Sequence, residues 1–150
     1  NKTVSIISKI ESPYEILDQT TPKGRYITKR IEKLYKEYQE LLKKALLEVP
    51  KEKVFLFSYG TSKNSFTSEL SSELLRRYPD KIIIVGREKD DRIKLSFRSK
   101  KIDINKIIEN SIGGIEGYAG GHEHACGGNI SKRDFPIFLE KFKEQVKHKV

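Results

Sequence analysis

Tryptophan and methionine are absent from this 150-residue chain, and cysteine occurs once. A lone cysteine closes no internal disulfide, so the fold must rest on its own core, and a reducing cytoplasm is the expected setting. Long apolar runs are missing as well. Nothing approaches the roughly eighteen apolar residues of a membrane span, and no signal peptide opens the chain, so no membrane partner is expected. Asn1 stands where an initiator methionine would, which leads us to expect a piece of a longer protein. No internal repeat is present.

What the chain does contain suits one globular α/β domain with a tail. Apolar residues make up 36% and charged residues 34%, and the apolar ones fall in clusters with clear periods. The net charge of +9 favours an anionic partner, although Lys and Glu also fill solvated helix faces in proteins of thermophilic composition. The local pattern is more telling. Arg92, Lys94, Arg98, Lys100 and Lys101 lie within ten residues that hold no acid.

Residues 1–24 mix short apolar pieces with turn formers and read as a tail or linker. An amphipathic helix is expected over about 26–48, where Ile27, Ile31, Leu34, Tyr38, Leu41 and Ala45 recur at three- and four-residue spacing, and Pro50 stops it. Buried strands are expected near 54–58 and 81–86, with a helix over 64–79 between them. After the polar turn REKDD, RIKLSFR (92–98) alternates: Ile93, Leu95 and Phe97 to one face, Lys94, Ser96 and Arg98 to the other. A short helix over 103–112 has Asp103 as its N-cap, and a further strand is expected at about 121–130. Ser131 and Asp134 have capping-box spacing and open a last helix carrying Phe135, Phe138, Leu139, Phe142 and Val146 on one face. The expectation is therefore a small sheet flanked by helices and preceded by a long helix.

The decamer AGGHEHACGG (119–128) has three readings. His122, His124 and Cys126 are zinc-ligand types, but a closed zinc site needs a fourth, and His148 lies in a polar C-terminal segment. The glycines can serve turns alone. They can also let backbone amides approach an oxyanion, with His122 as an added donor and Arg98 as a fork-shaped one. The residues alone leave the last two open.

SFRS (96–99), followed some twenty residues on by GGHEHACGG, resembles the SxRS and GGHxxAAG pair of the DHH-associated domain, the C-terminal domain of DHH-superfamily phosphoesterases. These include RecJ-like single-strand exonucleases, oligoribonucleases and cyclic-dinucleotide phosphodiesterases. The resemblance covers about residues 51–147 and includes the order of elements before the motif. It implies a substrate-binding domain over 51–150, with 1–50 as linker and connecting helix from a catalytic DHH domain. It also implies that Lys94, Ser96, Arg98, Ser99, Gly120, Gly121 and His122 contact a phosphate of single-stranded nucleic acid or a nucleotide. Cys126 stands where the family has a small residue, as a buried side chain would. Catalysis in the family belongs to the other domain, where aspartates and histidines hold two Mn2+ or Mg2+ ions. No such motif occurs here, so the chain alone is expected to be inactive and free of cofactors. Two other roles fit the same resemblance: a protein-interaction module with replication proteins as partners, and the related C-terminal domain of alanyl-tRNA synthetases. Tyr59, Phe66 and Tyr118 are the candidates for stacking a base.

Overall fold

A computed structural model describes residues 2–60 and 63–149, which divide into two units, Asn1–Lys44 and Ala45–Val150. The first unit is helical. Helices α1 (Lys2–Ile7) and α2 (Tyr14–Leu17) precede a long helix α3 (Pro22–Leu47), which runs on into the second unit. The N-terminal stretch, read as a tail or linker, is thus largely helical. The overlooked signal is Thr21-Pro22, a hydroxyl N-cap followed by a proline whose fixed φ suits the first helical position. Thr21 Oγ1 accepts from Gly24 N at 3.1 Å and donates to Glu15 Oε2 at 2.8 Å. Thr28 Oγ1 donates to Ile16 O at 3.0 Å, and Lys23 Nζ donates to Lys9 O at 2.7 Å. Gly24 is required where α2 crosses, because an added Cβ would stand 1.8 Å from the Glu15 carbonyl oxygen. On α3, Ile27 and Ala45 are buried as the periodicity implies, whereas Ile31 is exposed.

The second unit holds strands β1 (Val54–Tyr59), β2 (Ile82–Lys89), β3 (Arg92–Arg98), β4 (Gly117–His122) and β5 (Ala125–Ser131). They form one mixed sheet in the order β1-β2-β3-β5-β4, in which only the β1–β2 pair is parallel. Between them lie α4 (Thr67–Arg77) and α5 (Ile104–Ser111), with α6 (Phe135–Lys149) closing the chain. Two expectations are corrected. β2 continues to Lys89, so the turn shrinks to Asp90-Asp91, with Asp90 at a φ of 55°. The single strand foreseen at about 121–130 is a hairpin, β4 and β5, turning at Glu123-His124.

One sheet face is packed by α5 and α6 around Ile84, Ile93, Leu95 and Phe97. Phe97 lies 6.0 Å from the ring of Phe138 and 5.8 Å from that of Phe142, all three fully buried. Asp103 caps α5 through Lys106 N at 3.2 Å. Ser131 Oγ accepts from Asp134 N at 3.2 Å, but the reciprocal half of the expected capping box is missing. The Asp134 carboxylate instead accepts from Glu116 N at 2.8 Å and so fastens the start of the glycine hairpin to α6. The other sheet face is covered by α4 over β2 and β3, with Leu70 and Leu74 fully buried.

Candidate functional site

Residues directly opposite in an antiparallel ladder share a face, and the register of β3, β5 and β4 therefore builds three rows. Arg98, Ala125 and His122 form one, Ser96, Gly127 and Gly120 the next, and Lys94, Asn129 and Tyr118 the third. Adjacent rows are roughly 7 Å apart, two residue rises along a strand. A groove of about 770 Å3 opens over β5 and β4, lined by Lys94, Tyr118, Gly120, Gly127 and Asn129 and by the backbone between them. That volume lies within the range of small-ligand clefts. Glycines in the middle row keep its floor low, and no carboxylate lines it.

Arg98 stands half-buried in the row next to the glycine row, outside the groove's lining. Its Nη1 donates to Phe97 O at 2.9 Å and to Cys126 O at 3.4 Å, while Nη2 donates to Ser68 Oγ at 3.1 Å. A guanidinium carries five N–H donors. These bonds leave Nε–H and one of the two Nη2–H groups without a protein acceptor. Among the described residues Arg98 forms no salt bridge. Ser68 belongs to the first turn of α4, whose positive end is also met by the acid Glu69. Two strand spacings across, over the small side chain of Ala125, the His122 ring is exposed. Lys94 is also exposed and lines the groove.

Alternation correctly put Ser96 on the face of Lys94 and Arg98, but that face is not all open. Ser96 is buried under α4, and its hydroxyl pairs with Ser71 Oγ at 2.9 Å. It sets α4 in place and cannot reach a ligand in the groove. Ser99 is buried too, with its hydroxyl given to Ile102 O. The Gly121 amide, expected to face an anion, donates to Asn105 Oδ1 at 3.0 Å. The basic run also divides: Arg92 Nε donates to Asn129 Oδ1 at 2.7 Å, and Lys101 pairs with Asp80 at 3.2 Å. Ser68, Ala125 and Asn129 were missed, because only the hairpin register and the lie of α4 bring them to Arg98 and Tyr118. Of the stacking candidates, Tyr59 is buried, with its hydroxyl accepting from Phe66 N, whereas Tyr118 is 70% exposed.

The HxHxC array does not converge. His122 and Cys126 lie on opposite faces of the hairpin, and His124 Nδ1 is 3.2 Å from Ile102 O in the turn. Among the described residues no group of three or more His, Cys, Asp or Glu side chains is placed to hold a metal ion. Cys126 Sγ donates to His122 O at 3.0 Å, and burial pushes its thiol pKa up, which disfavours the nucleophilic thiolate.

These elements define an α/β module, a mixed five-stranded sheet with a groove on its glycine hairpin lined by Lys94, Tyr118 and Asn129. Residues 53–148 match the family described as the DHHA1 domain, and the chain belongs to that family within the DHH superfamily. RecJ from Thermus thermophilus, solved in complex with Mg2+, is similar with a TM-score of 0.66 at 16% identity, over 97% of this chain and 24% of that one. The pGpG-specific phosphodiesterase PggH from Vibrio cholerae gives 0.57 at 13% identity, over 86% of this chain and 44% of that one. The C-Ala domain of Aquifex aeolicus alanyl-tRNA synthetase gives 0.53 at 17% identity, over 64% of this chain and 92% of that one. At such identities the likeness is one of fold. The chain spans less than half of the RecJ and PggH chains. No curated protein sequence matches it. Among the described residues no helix is long and apolar enough to cross a membrane.

Proposed function

We propose that this chain is the substrate-gripping domain of a RecJ-like DHH phosphoesterase, holding a phosphate of single-stranded nucleic acid or of a nucleotide between Arg98 and His122. The observation that carries the reading is a half-buried arginine with Nε–H and one Nη2–H not taken up by the protein and, among the described residues, no carboxylate partner. An oxyanion is the ligand that guanidinium geometry matches. Lys94 extends the positive groove, and Gly120 and Gly127 let the ligand backbone lie close to the sheet. Ser96 supports the site from beneath through Ser71 and α4, and Ser99 and Gly121 hold the hairpin. Hydrolysis belongs to a DHH domain elsewhere in the parent protein, where Mn2+ or Mg2+ does the chemistry. Among the described residues no donor set is drawn together that would hold those ions.

The test is titration of the 150-residue chain with a 5′-phosphorylated single-stranded oligonucleotide over a range of salt. With two or three phosphate contacts, the log–log slope should be about −1.4 to −2.1, at roughly −0.7 per phosphate on a single strand. Absence of binding, or an affinity indifferent to salt, would favour the other reading of this fold, a surface for replication proteins.

A further inference from the structure

The far row of the groove has a chemistry of its own. Tyr118 is 70% exposed on an edge strand, with Asn129 directly opposite and Lys94 beyond it. Arg92 bonds Asn129 twice, Nε to Oδ1 at 2.7 Å and Nη2 to the main-chain oxygen at 3.1 Å. Arginine only donates, so the atom facing it is the amide oxygen, and the Asn129 NH2 is turned away from Arg92. That orientation is fixed by a partner rather than left to chance. The row therefore offers an aromatic face flanked by two donors, the Asn129 amide and the Lys94 ammonium. Lys94 and Arg98 are four residues apart on one strand, roughly 13 Å.

Resting on the phosphate seat proposed above, we infer that the Lys94–Asn129–Tyr118 row is a base-recognition subsite that stacks one unpaired base on Tyr118 and selects guanine. Base–aromatic stacking tolerates any base, so selection comes from the donors. Guanine presents two neighbouring acceptors, N7 and O6, on one edge, whereas adenine places an N6 amino donor beside its N7. Two donors facing adenine would leave one of them opposed to another donor.

The probes are GMP, AMP and ribose 5-phosphate, titrated against the 150-residue chain by calorimetry. GMP should bind about tenfold more tightly than base-free ribose 5-phosphate, equivalent to about 1.4 kcal/mol. It should also bind several-fold more tightly than AMP. Tyr118→Ala should bring GMP down to the ribose 5-phosphate level, whereas Tyr118→Phe should keep most of the gain. Asn129→Asp, which replaces a donor with an acceptor, should pull the GMP-to-AMP ratio toward one. Tyr118 is exposed, so its loss leaves the fold intact. If all three ligands bind alike, depend on Arg98 and ignore Tyr118→Ala, the base subsite is wrong while the phosphate seat stands. If none binds, both fall.

Discussion

Arg98 and His122 stand in one row of the sheet, with only the methyl group of Ala125 between them. One phosphate held by both makes their contributions interdependent. Arg98→Ala should cost about 1.5–3 kcal/mol of nucleotide binding, the range for a hydrogen bond to a charged group. Arg98→Lys should restore only part, since an ammonium cannot reproduce the two-pronged edge. The double variant with His122→Ala should lose less than the sum of the singles. Calorimetry on the four proteins measures this, and strictly additive losses would separate the two residues into different sites.

The chain by itself should not cleave labelled single-stranded DNA or RNA in Mn2+ or Mg2+. Two-metal hydrolysis needs several convergent carboxylates, and among the described residues no group of three metal-ligating side chains is drawn together. Chelator-sensitive cleavage that follows the chain through purification would contradict this.

Periodicity and alternation carried most of the sheet into view, because a buried face leaves a two-residue signal and a helix a longer one. β3 is the clearest case: its Ile93, Leu95 and Phe97 are all buried on the α5/α6 side. The β4–β5 hairpin was hidden because GYAGGHEHACGG has few side chains with which to alternate. Its register, which aligns His122 with Ala125 and Tyr118 with Asn129, is set by pairing rather than by pattern. For the same reason the sequence could place Arg98 and His122 in one site only through resemblance, and Ser68 not at all. Ser96 shows the opposite failure. Alternation assigned it the right face, but coverage by α4 is a tertiary fact that no local pattern contains.

Asp134 should make the domain acid-sensitive. Its Oδ1 accepts from Arg133 Nε at 3.1 Å and its Oδ2 from Glu116 N at 2.8 Å, and these bonds, the arginine's foremost, hold its carboxyl below the ordinary value. A carboxyl with a folded pKa below its unfolded value of about 3.9 stabilises fully above that value, and the contribution is lost as pH falls through the folded one. Asp134→Asn should therefore lower Tm at neutral pH, and the gap to the parent chain should begin to narrow below about pH 4. Thermal unfolding at pH 7 and pH 3 gives the comparison, and an equal gap at both would show that the carboxylate charge is irrelevant.

Neighbouring glycines in β5 should answer differently to the same change. A Cβ at Gly127 meets nothing nearer than Leu95 O at 3.6 Å, an ordinary contact, and rises from the groove floor. A Cβ at Gly128 would stand 2.7 Å from Ala119 Cβ and 2.8 Å from Tyr118 O, both fixed by the paired strand. Gly128→Ala should thus destabilise the fold by about 1–3 kcal/mol, as overpacking does. Gly127→Ala should leave Tm nearly unchanged but weaken nucleotide binding, because its methyl occupies the space the ligand crosses between the Arg98 and Lys94 rows. Unfolding and binding measured on both variants separate a structural glycine from one kept for the ligand. Unimpaired binding by a well-folded Gly127→Ala would mean that the ligand does not lie over the glycine row.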